Sequence, residues 1–113
     1  MSKFDEAMEL YQAQNNELNL GIDTLLLRAV TKGLGPSIYN IDASKVSSAD
    51  PEELARVKNN FLIKKLGMSD SPELDAAIHE VVEKLGTSNR NKYRAVFYTL
   101  LVIKFGKQGV YGK

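Results

Sequence analysis

The chain has no cysteine, a single histidine and three prolines in 113 residues. Without cysteine there is no disulfide framework, no thiolate nucleophile and no thiolate metal site. That fits a reducing compartment, and we expect a cytoplasmic protein. A lone histidine, His79, is the only side chain whose ordinary titration lies near neutrality. No apolar run approaches the roughly 20 residues that a membrane-spanning helix needs. The opening MSKFDEAM is charged and lacks an apolar h-region, so neither a signal peptide nor a membrane partner is expected. Acidic residues are missing from the last quarter of the chain: all 14 lie at or before Glu83.

What is present is a core. At 43% hydrophobic residues, a chain of this length has enough apolar surface to fold as one domain without staples. The segment YRAVFYTLLVIKF, Tyr93 to Phe105, is apolar almost all round between Ala95 and Ile103. A helix of that composition sits inside a core. We therefore expect an all-α domain over residues 1–113, with about five helices packed around an apolar C-terminal helix.

The remaining elements follow from periodicity and capping. Ser2 caps a first helix over 2–16, with Phe4, Met8 and Tyr11 on its inner face; the polar run Gln12–Asn16 dilutes the stripe and should fray the end. Asp23 caps a second over 23–34, in which Leu25, Leu26, Leu27, Ala29, Val30 and Leu34 supply the apolar surface and Gly33-Leu34-Gly35-Pro36 the stop. Residues 36–50 read as an irregular linker with short helical turns, where Ile38, Tyr39, Ile41 and Val46 plug the core edge. Asp50-Pro51-Glu52-Glu53 opens a third helix over 51–66, ended by Gly67. Ser71-Pro72-Glu73 opens a fourth over 72–85, whose Leu74, Ala77, Ile78, Val81, Val82 and Leu85 keep a strict helical spacing. The fifth spans 91–105, and three glycines make 107–113 a flexible tail.

Function is harder to read. No catalytic residue, metal ligand set or cofactor is nominated. Asp75, His79 and Glu83 share a face at i, i+4 and i+8, but one histidine with two carboxylates is poor in ligands, and a solvated charge ladder explains them. Gly33-Leu34-Gly35-Pro36-Ser37 has the glycines of a phosphate loop without its Lys-Ser/Thr pair or a preceding strand. Ser37, Ser44, Ser47 and Ser48 have no histidine near in sequence to act as base.

The charge distribution is the one anomaly. Residues 1–83 carry eight Lys/Arg against 14 acids, a net −6, while residues 84–113 carry seven cations and no acid, a net +7. Arg90, Lys92 and Arg94 crowd the expected start of the last helix, where the dipole is already positive and each exposed cation costs about 0.3–1 kcal/mol. Something negative must compensate. One reading makes these three residues an anion site, for phosphate or nucleic acid. The other pairs them internally with Asp5, Glu6 or Glu9 of the first helix. Nucleic acid is the weaker partner: the basic third's aromatics fall mostly in the buried helix, and the helix after the Leu66–Ser69 turn, SPELDAAIHEVVEK, is too acidic to read phosphate-lined DNA. We expect a non-enzymatic interaction module whose partner is another protein or a second copy, with polyanion binding through Arg90, Lys92 and Arg94 as the alternative.

The stretches GLGPSIYN (33–40), DASKVS (42–47), NNFLIKKLG (59–67) and YRAVFYTLLV (93–102) resemble a small bacterial family of unknown function, domain-of-unknown-function family 2853. The likeness covers essentially the whole chain, and its most specific part is GLGPSIYN. It implies a bacterial, cytoplasmic, compact helical protein, and it transfers no activity and no site residues.

Overall fold

The elements that position everything else are set by their caps. The computed structural model describes residues 2–40 and 42–112. Helix α1, Lys3–Glu17, starts at Ser2, whose hydroxyl oxygen accepts from the Asp5 amide at 3.1 Å. Helix α2, Thr24–Leu34, starts at Asp23, whose carboxylate accepts from the Leu25 amide at 3.3 Å. Helix α3, Pro51–Arg56, starts at Asp50, whose carboxylate accepts from the Glu52 amide at 3.0 Å. Each side chain satisfies an amide that has no partner within its helix. Helix α4, Pro72–Leu85, differs. Ser71 has the extended backbone of an N-cap, but its side chain makes no capping bond, so Pro72 and the first-turn acids carry that start.

Helix α5, Arg94–Lys104, is the centre, and α2 and α4 pack against it most extensively. Every residue from Ala95 to Val102 is buried. Ile103, expected inside, is 38% exposed, because the helix has by then reached the rim of the core. Thr99 is buried without penalty: its hydroxyl donates to the Ala95 carbonyl at 2.6 Å. Leu25 also leaves the core of α2 and faces solvent, and Thr31 takes an inner position, donating to the Leu27 carbonyl at 2.7 Å.

The third helix departs from the α-geometry that its periodicity suggests. From Val57 to Lys65 it continues as a π-helix, closed by the Leu66 amide on the Phe61 carbonyl, five residues back, at 2.9 Å. The buried positions explain the wide turn: Glu53, Val57, Phe61 with Leu62, and Leu66 are four or five residues apart. An i→i+5 turn keeps them all inward, where a 3.6-residue turn would rotate the later ones away. Phe61 thereby stacks on Tyr98 of α5, with centroids 3.9 Å apart and planes at 20°.

The linker is held by specific bonds. Gly35–Tyr39 is a 3-10 turn, and Ile38 and Val46 enter the core while Tyr39 remains exposed. Ile41 lies outside the described residues. The Asn40 carboxamide accepts from the amides of Asp42 and Ala43 at 2.9 and 3.0 Å. Lys45 then pairs with Tyr93 in an isolated antiparallel bridge, the single β-type pairing among the described residues. In the glycine-rich tail, Gln108–Tyr111 forms a 3-10 turn, and the Tyr111 ring rests on Gly33, where an added methyl group would meet it at 3.4 Å. The Cα radius of gyration is 13.0 Å, close to the roughly 13 Å expected of a compact chain this long.

Candidate functional site

The Lys45–Tyr93 bridge decides what becomes of the three cations. It draws residues 91–93 into extended pairing, with the Val46 amide on the Lys92 carbonyl at 2.8 Å and the Arg94 amide on the Ser44 carbonyl at 2.7 Å. Helix α5 consequently begins at Arg94, and Arg90 and Lys92 lie in the loop before it rather than in its first turn.

Arg94 spends its guanidinium inside the protein. Nε donates to the Ala43 carbonyl at 2.8 Å, Nη1 to the Tyr98 hydroxyl at 2.8 Å, and Nη2 to the Lys45 carbonyl at 3.2 Å and to the Glu53 carboxylate. The negative partner that the helix start demands is thus Glu53 of α3, not Asp5, Glu6 or Glu9 of α1. Burial acts against the charge on Arg94, but the Tyr98 hydroxyl and Glu53 outweigh it and hold the guanidinium above its usual pKa. Burial likewise raises the Tyr98 hydroxyl, which the Arg94 charge only partly offsets.

Lys92 is 2% exposed, and its ammonium donates to the carbonyls of Thr87 and Asn89 at 3.3 and 2.5 Å. Both acceptors lie in the turn that follows α4. Burial lowers the pKa of Lys92. Arg90 is exposed. The three cations therefore do not converge on one exposed point.

The loop that Lys92 braces forms one wall of a groove of about 370 Å³. Leu85, Asn89, Asn91 and Tyr93 line that side; Leu10, Ala13, Gln14, Glu17 and Leu18 of α1 and its end line the other. Leu10 is 55% exposed and Leu18 37%, two of the few large apolar side chains open to solvent among the described residues. The polar run expected to fray α1 instead fastens it. The Asn15 carboxamide closes both the amide and the carbonyl of Ile22, at 3.0 and 3.2 Å, which ties the α1–α2 connection down. Gln14 donates from Nε2 to the Asn91 carbonyl at 2.6 Å and so ties α1 to the loop. Its Oε1 is buried and has no hydrogen-bond partner among the described residues. Composition alone hid this site. Gln14 and Asn15 lie on the same face as the core residues Ala7, Met8 and Tyr11, and that placement was the available signal.

A second cleft, of about 410 Å³, lies between α3 and α4 and includes Lys58, Asn59, Asp75 and His79. The Lys58 ammonium bridges Asp70 and Asp75 at 3.0 and 3.2 Å, and these bonds, Asp70's first, raise its pKa. Asp75 thus turns to Lys58 of the π-helical segment as its ion-pair partner. Among the described residues no group of three or more His, Cys, Asp or Glu is arranged to hold a metal ion, and no helix is long and apolar enough to cross a membrane.

Compared with known families, residues 9–109 match the sequence model described as a protein of unknown function, DUF2853. The chain belongs to the DUF2853 family. No curated protein matches it. The DUF2853 match takes in every residue of both clefts described above. GLGPSIYN, the most specific part of the family likeness, marks the end of α2: Gly35 takes a positive φ of 67° and begins the 3-10 turn, Pro36 follows it, and the Ser37 hydroxyl donates to the Leu34 carbonyl at 2.9 Å. In this DUF2853 chain its work is structural, a helix stop followed by the burial of Ile38.

Proposed function

We propose that this DUF2853 chain is a non-enzymatic, cytoplasmic interaction module that docks an apolar segment of another protein in the groove between α1 and the 86–93 loop. The observation that carries the reading is the groove's composition. Leu10 and Leu18 are open to solvent beside a buried acceptor, Gln14 Oε1, that has no donor among the described residues. Covering the leucines gains about 25 cal/mol per Å² removed from water. A backbone N–H brought to Gln14 Oε1 by a small turn of its side chain offsets the roughly 1–3 kcal/mol that an unpaired buried acceptor costs. The absence of cysteine supports the cytoplasmic setting. The polyanion alternative has less behind it, since Lys92 and Arg94 are engaged within the protein and Arg90 alone faces outward.

Selection from a random peptide library against the wild-type chain and against the double variant Leu10→Lys, Leu18→Lys tests this. Peptides held by the wild type and lost by the variant, shifting amides of residues 10–18 and 85–93, support it. Peptides held equally by both overturn it. Sedimentation of the free chain distinguishes a second copy as the occupant, and a low-salt titration with single-stranded DNA reads the polyanion alternative.

A further inference from the structure

Beyond the docking groove, the core carries a different opening. A slot of about 210 Å³ lies between α4 and α5. Leu20, Val81 and Leu100 form its floor, and Ile103, the exposed large apolar residue of α5, forms one side. Its rim is charged: Glu80, Lys84 and Lys104. Lys104 bonds Glu80 at 2.8 Å. Lys84 lies one helical turn after Glu80 on the same face, forms no ion pair among the described residues, and leaves the rim with one more positive charge than negative.

We propose that this slot binds a small molecule with a compact apolar body and a single carboxylate. The volume equals the share of about seven water molecules, room for a ring or branched chain and one head group. An apolar floor with one or two polar groups at the mouth is the usual make-up of a small-ligand site. The body covers Ile103 and the floor, and the carboxylate accepts from Lys84 without disturbing the Lys104–Glu80 pair. A neutral head leaves Lys84 unmatched. A ligand this small binds with a Kd on the order of 1 mM.

The probes are phenylacetate, its neutral counterpart phenylacetamide, and acetate, titrated into the full chain at constant ionic strength and followed by amide NMR. Phenylacetate should give saturable shifts centred on Gly21, Val81, Lys84 and Ile103. Phenylacetamide should bind about threefold more weakly, the factor that an exposed ion pair supplies, and acetate, which has no apolar body, should not saturate. Lys84→Gln, a surface change that leaves the fold intact, should bring phenylacetate down to phenylacetamide without altering the latter. Ile103→Glu should weaken both, and a thermal melt confirms that it folds. The proposal is overturned by unsaturated shifts up to tens of millimolar, by equal binding of acid and amide, by no effect of Lys84→Gln, or by shifts centred on residues 10–18 and 85–93.

Discussion

Arg94 at the head of α5 and Glu53 in the first turn of α3 form a largely buried ion pair across 41 residues of sequence. Glu53 also accepts from Arg56 at 2.8 Å, so one carboxylate holds two guanidinium groups while closing α3 against α5. The pair answers two local problems together: a cation at a positive helix end and a carboxylate inside the core. Removing one member strands the other. Glu53→Ala should therefore destabilise the chain by about 3–5 kcal/mol in urea unfolding. Glu53→Gln, which retains an acceptor, should cost less. A loss below about 1 kcal/mol for Glu53→Ala would mean that the carbonyls of Ala43 and Lys45 suffice to hold Arg94.

The central helix bears the largest packing term. Phe97 and Leu101 are fully buried. Phe97→Ala should cost about 3–5 kcal/mol and Leu101→Ala about 2–5 kcal/mol, through the cavity each leaves. Ile103→Ala, at the exposed end of the same helix, should cost far less. Urea midpoints of the three variants check the gradient.

Alkaline pH should unfold the protein through buried phenols. Tyr11 is pushed up to about 12, first by burial and then by its proximity to Tyr93 and Tyr39. Burial also raises Tyr111. Between the unfolded value of about 10 and the folded value, the folded state holds the proton that the unfolded state has lost. The stability from neutral Tyr11 is therefore complete below pH about 10 and lost as pH rises towards about 12. Tyr11→Phe should flatten the decline across that window, followed by circular dichroism against tyrosinate absorbance. An unchanged slope would mean that Tyr11 ionises without unfolding.

Lys92 carries the opposite sign. Its folded pKa is lowered by burial, so the folded state gives up its proton more readily than the unfolded chain, which titrates near about 10.4. Its charge costs the fold stability at neutral pH, and that cost is relieved as pH rises through the folded pKa. The stability of the wild type relative to Lys92→Met should therefore rise with pH up to about 10.4. In the variant, amide exchange of residues 87–92 should also quicken, because the ammonium no longer ties Thr87 and Asn89 together. A pH-independent difference would show that the ammonium is solvated in the folded state.

These residues also mark where sequence reasoning reaches and where it stops. Helix α4 was legible to the residue, 72–85, because its spacing is strict and its ends carry proline and glycine. The start of α5 was not: a bridge to Lys45, 48 positions earlier, overrides local preference and moves it from 91 to Arg94. Glu53 looked like one more first-turn carboxylate, since nothing local distinguishes a dipole partner from a core ion pair. The sequence nominated Arg90, Lys92 and Arg94 as an anion site and did not nominate the groove, which none of the three lines. It did not nominate Gln14, because a buried amide and a solvated one are spelled alike. The π-turn escaped for a related reason, as periodicity assumes the period that it sets out to find.

Gln14 offers the test that separates fold from function. Its Nε2 bond to the Asn91 carbonyl stabilises the fold, while its unpaired Oε1 works against it. A net hydrogen bond is worth about 0.5–1.5 kcal/mol, and an unsatisfied buried acceptor costs about 1–3 kcal/mol. Gln14→Met removes both groups at nearly constant volume, so stability should change by less than about 1 kcal/mol in either direction. If the groove docks a peptide through that acceptor, the same substitution should weaken peptides selected on the wild type by about tenfold, the worth of one hydrogen bond in a desolvated site. Leu10→Ala should weaken them through lost apolar contact, whatever the role of Gln14. Unaltered affinity in Gln14→Met beside a clear loss in Leu10→Ala would leave the groove as a purely apolar dock. A stability loss of about 3 kcal/mol in Gln14→Met would instead show that the Asn91 bond is a principal clasp between α1 and the loop.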